Sequence, residues 1–130
     1  MNKAVTKAKP FVKWAGGKKQ LLNTINSYYP EDLKQGKISK YVEPFVGGGA
    51  VLFDIIQKYD FEEVYINDIN KDLLVTYTVI KNDVNSLIDE LKEVESNYLG
   101  TSPADRGEIY YQVREAFNIE AREFDFENYS

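Results

Sequence analysis

The residues best placed to do chemistry are a glycine turn and an acid. Phe45-Val46-Gly47-Gly48-Gly49 is followed by Asp68, 21 residues beyond Gly47. The apolar run Tyr41–Val46 reads as a buried strand, with Pro44 near its end, and Ala50–Tyr59 reads as a helix. Glu63–Asn67 reads as the next strand and ends at Asp68. Glycines at such a strand end let the backbone turn sharply and approach a ligand that a Cβ would push away. An acid about 20 residues on, at the end of the second strand, accepts hydrogen bonds from ribose hydroxyls. Alone, the triplet is an ordinary turn and the acid a helix cap; together they point to a nucleoside-containing ligand. The dinucleotide fingerprint fits less well, because its third glycine falls at Leu52. A P-loop fits worse: Gly17-Lys18 has no glycine five residues earlier and is followed by Lys19. S-adenosyl-L-methionine suits the turn, having ribose hydroxyls and no pyrophosphate to cradle.

The elements that must position these groups follow from periodicity. Phe11–Trp14 is a short extended stretch ending at Ala15-Gly16-Gly17. Leu21, Leu22, Ile25 and Tyr28 predict a helix from about Lys18 to Tyr29, stopped by Pro30, and Glu31–Lys40 reads as a loop. Leu73, Leu74, Tyr77 and Ile80 mark one later helix; Val84, Leu87, Ile88, Leu91, Val94 and Tyr98 mark another, ending at Gly100. Ser102-Pro103 with Asp105 predicts the opening of a last helix carrying Ile109, Tyr110, Val113 and Phe117. Strand, glycine turn, helix and strand make a βαβ unit with a parallel pair and a right-handed crossover.

Composition narrows the chemistry. The 130 residues contain no Cys and no His, which excludes thiolate nucleophiles, Cys/His metal sites and histidine acid–base catalysis. No metal site is expected. Ten Tyr and seven Phe are too many aromatics for a disordered chain. Without an apolar run of about 18 residues or a leader-like start, the chain is expected to be cytoplasmic and to make no membrane contact. The net charge of -5 divides unevenly: residues 1–40 carry nine Lys and two acids, and the acids lie mostly beyond. The basic end could face phosphate.

Four blocks carry a resemblance. Phe11-Val12-Lys13-Trp14-Ala15-Gly16-Gly17-Lys18, Glu43-Pro44-Phe45-Val46-Gly47-Gly48-Gly49-Ala50-Val51-Leu52-Phe53, Asn67–Leu73 and Tyr110–Asn118 occur in this order. In them the chain resembles the N-terminal part of the Dam-like adenine-N6 DNA methyltransferases, over residues 10–118. The resemblance implies an α/β fold: part of a Rossmann-like S-adenosylmethionine-dependent methyltransferase fold, a parallel sheet with flanking helices. It implies that Trp14 and Lys18 line the methionine end of a cofactor pocket, with Gly16 and Gly17 beside them. Pro44, Phe45, Gly47, Gly48 and Gly49 would meet the adenosine, and Asp68 the ribose.

In that family the chemistry is done at an Asp-Pro-Pro-Tyr motif, which binds the amino group of a flipped adenine. No Asp/Asn/Ser-Pro-Pro-aromatic string occurs here, so no catalytic residue is assigned. The expectation is a cofactor-binding part over residues 1–118, with 119–130 the start of a recognition region or a frayed tail. Such a chain would bind S-adenosylmethionine and not turn over by itself. Duplex DNA would be met through the absent remainder, as in restriction–modification, phage or chromosome-marking enzymes. The strand edge left open would favour self-association or pairing with a separately encoded part, unless the tail Glu123–Tyr129 covers it. A stand-alone non-catalytic cofactor-binding module and a nicotinamide-binding Rossmann domain are the alternatives.

Overall fold

The computed structural model describes residues 6–127. The chain divides into two compact units, Met1–Leu73 and Leu74–Ser130.

The first unit is built on the expected βαβ crossover. Strands β1 (Lys40–Glu43) and β2 (Glu63–Ile66) form a parallel two-stranded sheet, with Tyr41 opposite Val64 and Glu43 opposite Ile66. Asn67 extends the ladder one step: its N–H donates to Glu43 O (2.8 Å) and its carbonyl accepts from Val46 N–H (3.0 Å). That clasp holds the two strand ends side by side, so the loops leaving them start from a common edge. Between the strands lies a helix of residues Ala50–Ile55, which buries Val51, Leu52 and Ile55. These pack the core with Leu33, Val46 and Leu73.

The expected parallel pair with a helix between its strands is present, and the expectations around it need adjustment. The run Tyr41–Val46 is not buried throughout, since Val42 is 65% exposed. The sheet face bearing Val42 and Tyr65, 65% and 55% exposed, is largely open. The helix expected over 18–29 is interrupted: a 3-10 turn over Lys18–Leu21 leads into α1 (Leu22–Ser27). Glu31–Lys40, read as a loop, contains α2 (Glu31–Lys34). Pro30 does more than stop the preceding helix, because its carbonyl accepts from Leu33 and Lys34 N–H (3.1 and 3.4 Å). Glu31 and Asp32 sit at the positive end of this short turn, and Leu33, its single apolar residue, is buried. The crossover helix, here α3, stops at Ile55 instead of Tyr59, and single bonds to Ile55 O from Lys58 and Tyr59 N–H close the turn after it.

One buried group in this unit is unsatisfied. The Tyr29 ring meets Tyr59 edge-on at 6.0 Å, but its buried hydroxyl has no hydrogen-bond partner. Burial first, then the negative charge of Asp54, pushes its pKa up to about 12. In the unfolded chain a tyrosine ionises near 10. The folded state therefore keeps the proton between those values while the unfolded state loses it, so this stability is complete below pH 10 and is lost as pH rises toward 12. Tyr29→Phe removes an unsatisfied hydroxyl at no loss of packing. We expect it to stabilise the fold by about 0.5–1.5 kcal/mol at neutral pH and to flatten the alkaline fall in melting temperature, as read from thermal melts between pH 8 and 11.

The second unit is helical. Its first helix, α4 (Lys71–Asn82), starts in the last residues of the first unit, where Asn70 caps it by accepting from Leu73 N–H at 3.1 Å through Oδ1. Helices α5 (Val84–Gly100) and α6 (Arg106–Glu123) follow, and neither has a buried residue. Asp83 caps α5 by accepting from Ser86 N–H (3.4 Å). Gly100 is the last residue of α5, as expected, but Ser102 does not cap α6. Its hydroxyl donates to Asp105 (2.7 Å) inside a turn, and the helix begins at Arg106. Arg106 closes the connection by donating Nε to the carbonyls of Tyr98 (3.2 Å) and Thr101 (3.3 Å), with its guanidinium over the Tyr98 ring at 5.0 Å. The part of Glu123–Tyr129 that is described, through residue 127, contains no strand; the rest of that tail lies outside the described residues. Among the described residues no helix is long and apolar enough to cross a membrane.

Candidate functional site

All the groups singled out from sequence belong to the first unit. At the end of β1 the glycine turn reverses the chain: Gly47 (φ +51°) and Gly49 (φ +82°) take left-handed conformations that L side chains rarely adopt. Gly49 N–H donates to Val46 O (2.9 Å), and Gly49 O accepts from Phe53 N–H (2.9 Å) to open α3. At the end of β2, Asp68 completes the turn. Its Oδ2 accepts from Gly47 N–H (2.9 Å) and its Oδ1 from Asn70 N–H (3.0 Å). These backbone donors, first Asn70 and then Gly47, hold the carboxyl below the ordinary aspartate range, and the positive charge of Lys18 adds to the effect. Asp68 is thus ionised at neutral pH, and its backbone donors, Ile69 N–H among them, leave part of the carboxylate's acceptor capacity open.

Glycine at 47 and 48 also has a reason internal to the chain. A Cβ on Gly47 would stand 3.2 Å from the Trp14 indole, and one on Gly48 would stand 3.0 Å from Val12 O. The turn is bare where the segment Pro10–Trp14 crosses it. Beyond that segment Gly16 (φ +73°) reverses the chain, and Gly17 N–H donates to Trp14 O at 3.1 Å.

Lys18 then reaches back under the turn. Its Nζ donates to Glu43 Oε1 (3.0 Å) and to the carbonyl of Phe45. Glu43 is the one buried charged residue among those described, 6% exposed, and its other oxygen accepts from Tyr41 OH (2.8 Å). Burial and that bond to Glu43 raise the Tyr41 phenol far above the usual tyrosine value. With two of its three N–H donors used, Lys18 retains one. Sequence reasoning missed Glu43 and Tyr41. A charged residue inside an apolar strand was the available signal, since it must find a counter-charge.

A cavity of about 730 Å³ lies where these parts meet. Of the residues named from sequence, Trp14, Gly16, Gly17, Lys18, Phe45, Gly47, Gly48 and Asp68 line it, whereas Pro44 and Gly49 do not. Gly49 acts one step behind the wall, as the residue before α3. Lys9, Lys13 and Lys19 also line the cavity and were not singled out. The open Trp14 and Phe45 rings, 40% and 71% exposed, are the broad apolar surfaces beside these charges.

A parallel βαβ unit with a glycine turn after its first strand and an acid after its second has the layout of the nucleotide-binding α/β proteins. The chain belongs, more narrowly, to the D12 class N6 adenine-specific DNA methyltransferases, whose family model matches residues 14–129. Among curated proteins it is 52% identical over 117 residues to the type II methyltransferase M.MjaIII of Methanocaldococcus jannaschii, covering 90% of this chain and 40% of that protein. It is 34% identical over 119 residues to the DNA adenine methylase of Haemophilus influenzae, covering 92% of this chain and 37% of the relative. With the DNA adenine methylase of Escherichia coli K12 it shares 36% identity over 112 residues, 86% of this chain and 35% of the relative. The chain therefore spans well under half the length of these relatives. No solved structure matches significantly.

Proposed function

We propose that this chain is the S-adenosylmethionine-binding part of an enzyme that methylates adenine N6 at specific sites in duplex DNA. The observation that carries the reading is the Asp68 carboxylate, fixed by Gly47 N–H in the lining of the cavity with acceptor capacity left open. The residues present suit the group. Asp68 would accept from the ribose hydroxyls, and the remaining Lys18 N–H would meet the cofactor's carboxylate. Trp14 would offer its ring face to a sulfonium. Phe45 and the backbone of Gly47 and Gly48 would border the adenosine, with Gly16, Gly17, Pro44 and Gly49 shaping the two turns. When bound, S-adenosylmethionine supplies an electrophilic methyl group; this chain's residues orient it and shield one side from water.

Residues 1–118 form the cofactor-binding part in this reading, and 119–130 begin a recognition region or end as a tail. Because the sequence has no Asp/Asn/Ser-Pro-Pro-aromatic string, the 130 residues bind cofactor without turnover. Duplex DNA is engaged by residues outside them. Pairing of the unpaired strand edges with a second copy, or with a chain carrying the missing motif, would complete the sheet. The enzyme acts in the cytoplasm.

The test is a thermal-shift titration. S-adenosylhomocysteine at 100 times its dissociation constant should stabilise the fold by about 2.7 kcal/mol, and NAD should not. Stabilisation by NAD alone would reassign the pocket to a nicotinamide cofactor. Methylated adenine formed from S-adenosylmethionine and duplex DNA by this chain alone would overturn the absence of turnover.

A further inference from the structure

One side chain outside the cavity lining binds the segment that forms part of the cavity wall. Gln57 lies in the turn just past α3, and its amide makes three bonds. Oε1 accepts from Ala8 N–H (2.7 Å), while Nε2 donates to Ala8 O (3.1 Å) and to Phe53 O. A primary amide that faces a backbone amide in both directions acts as a one-residue strand partner. The third bond ties that amide to the open end of α3, so the clamp has a rigid base. Three residues beyond Ala8, Phe11 meets Phe53 edge-on at 6.4 Å. The chain then runs over Gly48 and Gly47 as Pro10–Trp14, near contact with both.

This arm provides Lys9, Pro10, Phe11, Val12, Lys13 and Trp14 to the cavity lining. It contains no helix or strand, it carries lysines at positions 9 and 13, and Phe11, Val12 and Trp14 all remain more than a third exposed. Without the clamp, the freedom gained by an undocked lysine-rich segment would compete with its remaining contacts. The cavity would then lose one side.

We propose that Gln57 is a positioning residue: it docks the arm 8–14 and so completes the pocket, without touching what the pocket holds. The inference rests on the reading of this cavity as the cofactor site. An arm docked for only part of the time lowers apparent affinity in proportion to the docked fraction.

Trp14 is the sole tryptophan and rides on the arm, so acrylamide quenching of its fluorescence reports docking in the ligand-free chain. Gln57 is exposed and alanine is well tolerated in that setting, so Gln57→Ala should fold. The expected result is a roughly twofold rise in quenching and a 3- to 10-fold weakening of S-adenosylhomocysteine binding, the order expected for losing two exposed hydrogen bonds. Gln57→Glu keeps the acceptor for Ala8 N–H and loses the donor, and should fall between. Quenching and affinity both at the wild-type level in Gln57→Ala would overturn the proposal. So would a change in only one of them, because docking and affinity would then be unconnected. If the wild-type chain itself ignores S-adenosylhomocysteine, the cofactor reading fails, and the quenching ratio alone decides whether Gln57 positions the arm.

Discussion

Replacing Asp68 with Ala should weaken S-adenosylhomocysteine binding by about 100-fold or more, measured by calorimetric titration. The carboxylate has two separate tasks in the geometry. It holds the glycine turn through Gly47 N–H (2.9 Å) and the start of the next loop through Asn70 N–H (3.0 Å). Its remaining acceptor positions are the ones assigned to ribose hydroxyls. A hydrogen bond to a charged partner contributes about 1.5–3 kcal/mol, so losing a ligand bond together with the turn geometry that aims it accounts for a factor of this size. Asp68→Asn separates the tasks: its amide oxygen can still accept from one backbone N–H, but the charge is gone. It should retain most of the melting temperature and still lose most of the affinity. Unaltered binding by Asp68→Ala would remove the ribose assignment. The depressed pKa of Asp68 also sets a direction with pH. Its contribution to stability is present above the unfolded value near 4 and declines as pH falls through the lower folded value.

The second large effect is expected at Glu43. Glu43→Ala should lower unfolding stability by about 2–4 kcal/mol, overlapping only the lower part of the cost of breaking a fully buried pair because Lys18 can turn partly to water. The carboxylate is nearly enclosed, and it satisfies both Lys18 Nζ (3.0 Å) and Tyr41 OH (2.8 Å). Removing it strands a half-buried phenol and releases the lysine from its place beneath the turn. Ligand affinity should fall with stability, since Lys18 then lacks the anchor that aims its last N–H. A double-mutant cycle with Lys18→Met measures the pair itself: the combined loss should be smaller than the sum of the single losses. Additive losses would mean that Lys18 and Glu43 act independently, despite their distance.

The portions of the fold that were legible are those governed by local pattern. The alternation of apolar run, glycine turn and amphipathic helix identified β1, α3 and β2, and the spacing of Gly47 and Asp68 placed them at neighbouring strand ends, where they hydrogen-bond. The helices of the second unit were legible for the same reason. What was not legible depended on partners distant in sequence. Trp14 and Val12 give Gly47 and Gly48 a reason to lack a Cβ, but that contact spans over thirty residues of chain and leaves no periodic trace. Glu43 looked like part of a motif, and its role as a buried counter-charge emerges only with Lys18 beside it. The polar stretch Glu31–Lys34 hid a helical turn because a single leucine is all that it buries. Ser102 offered a good cap by residue type, yet its hydroxyl found Asp105 first and the helix began later.

The clasp between β1 and β2 bears on the order in which the chain acquires its structure. Tyr41 cannot find Val64, nor Gly47 find Asp68, until the intervening crossover has been made or has collapsed. Ala8 must wait longer still for Gln57, 49 residues away. Closing such loops costs entropy before any contact repays it, and folding slows as contacting residues lie farther apart in sequence. The contacts of Arg106 with Tyr98 and Thr101, by contrast, are eight and five residues apart. On a ribosome the lysine-rich segment around Ala8 emerges long before Gln57, its clamp, whereas each later helix can form as soon as it is made.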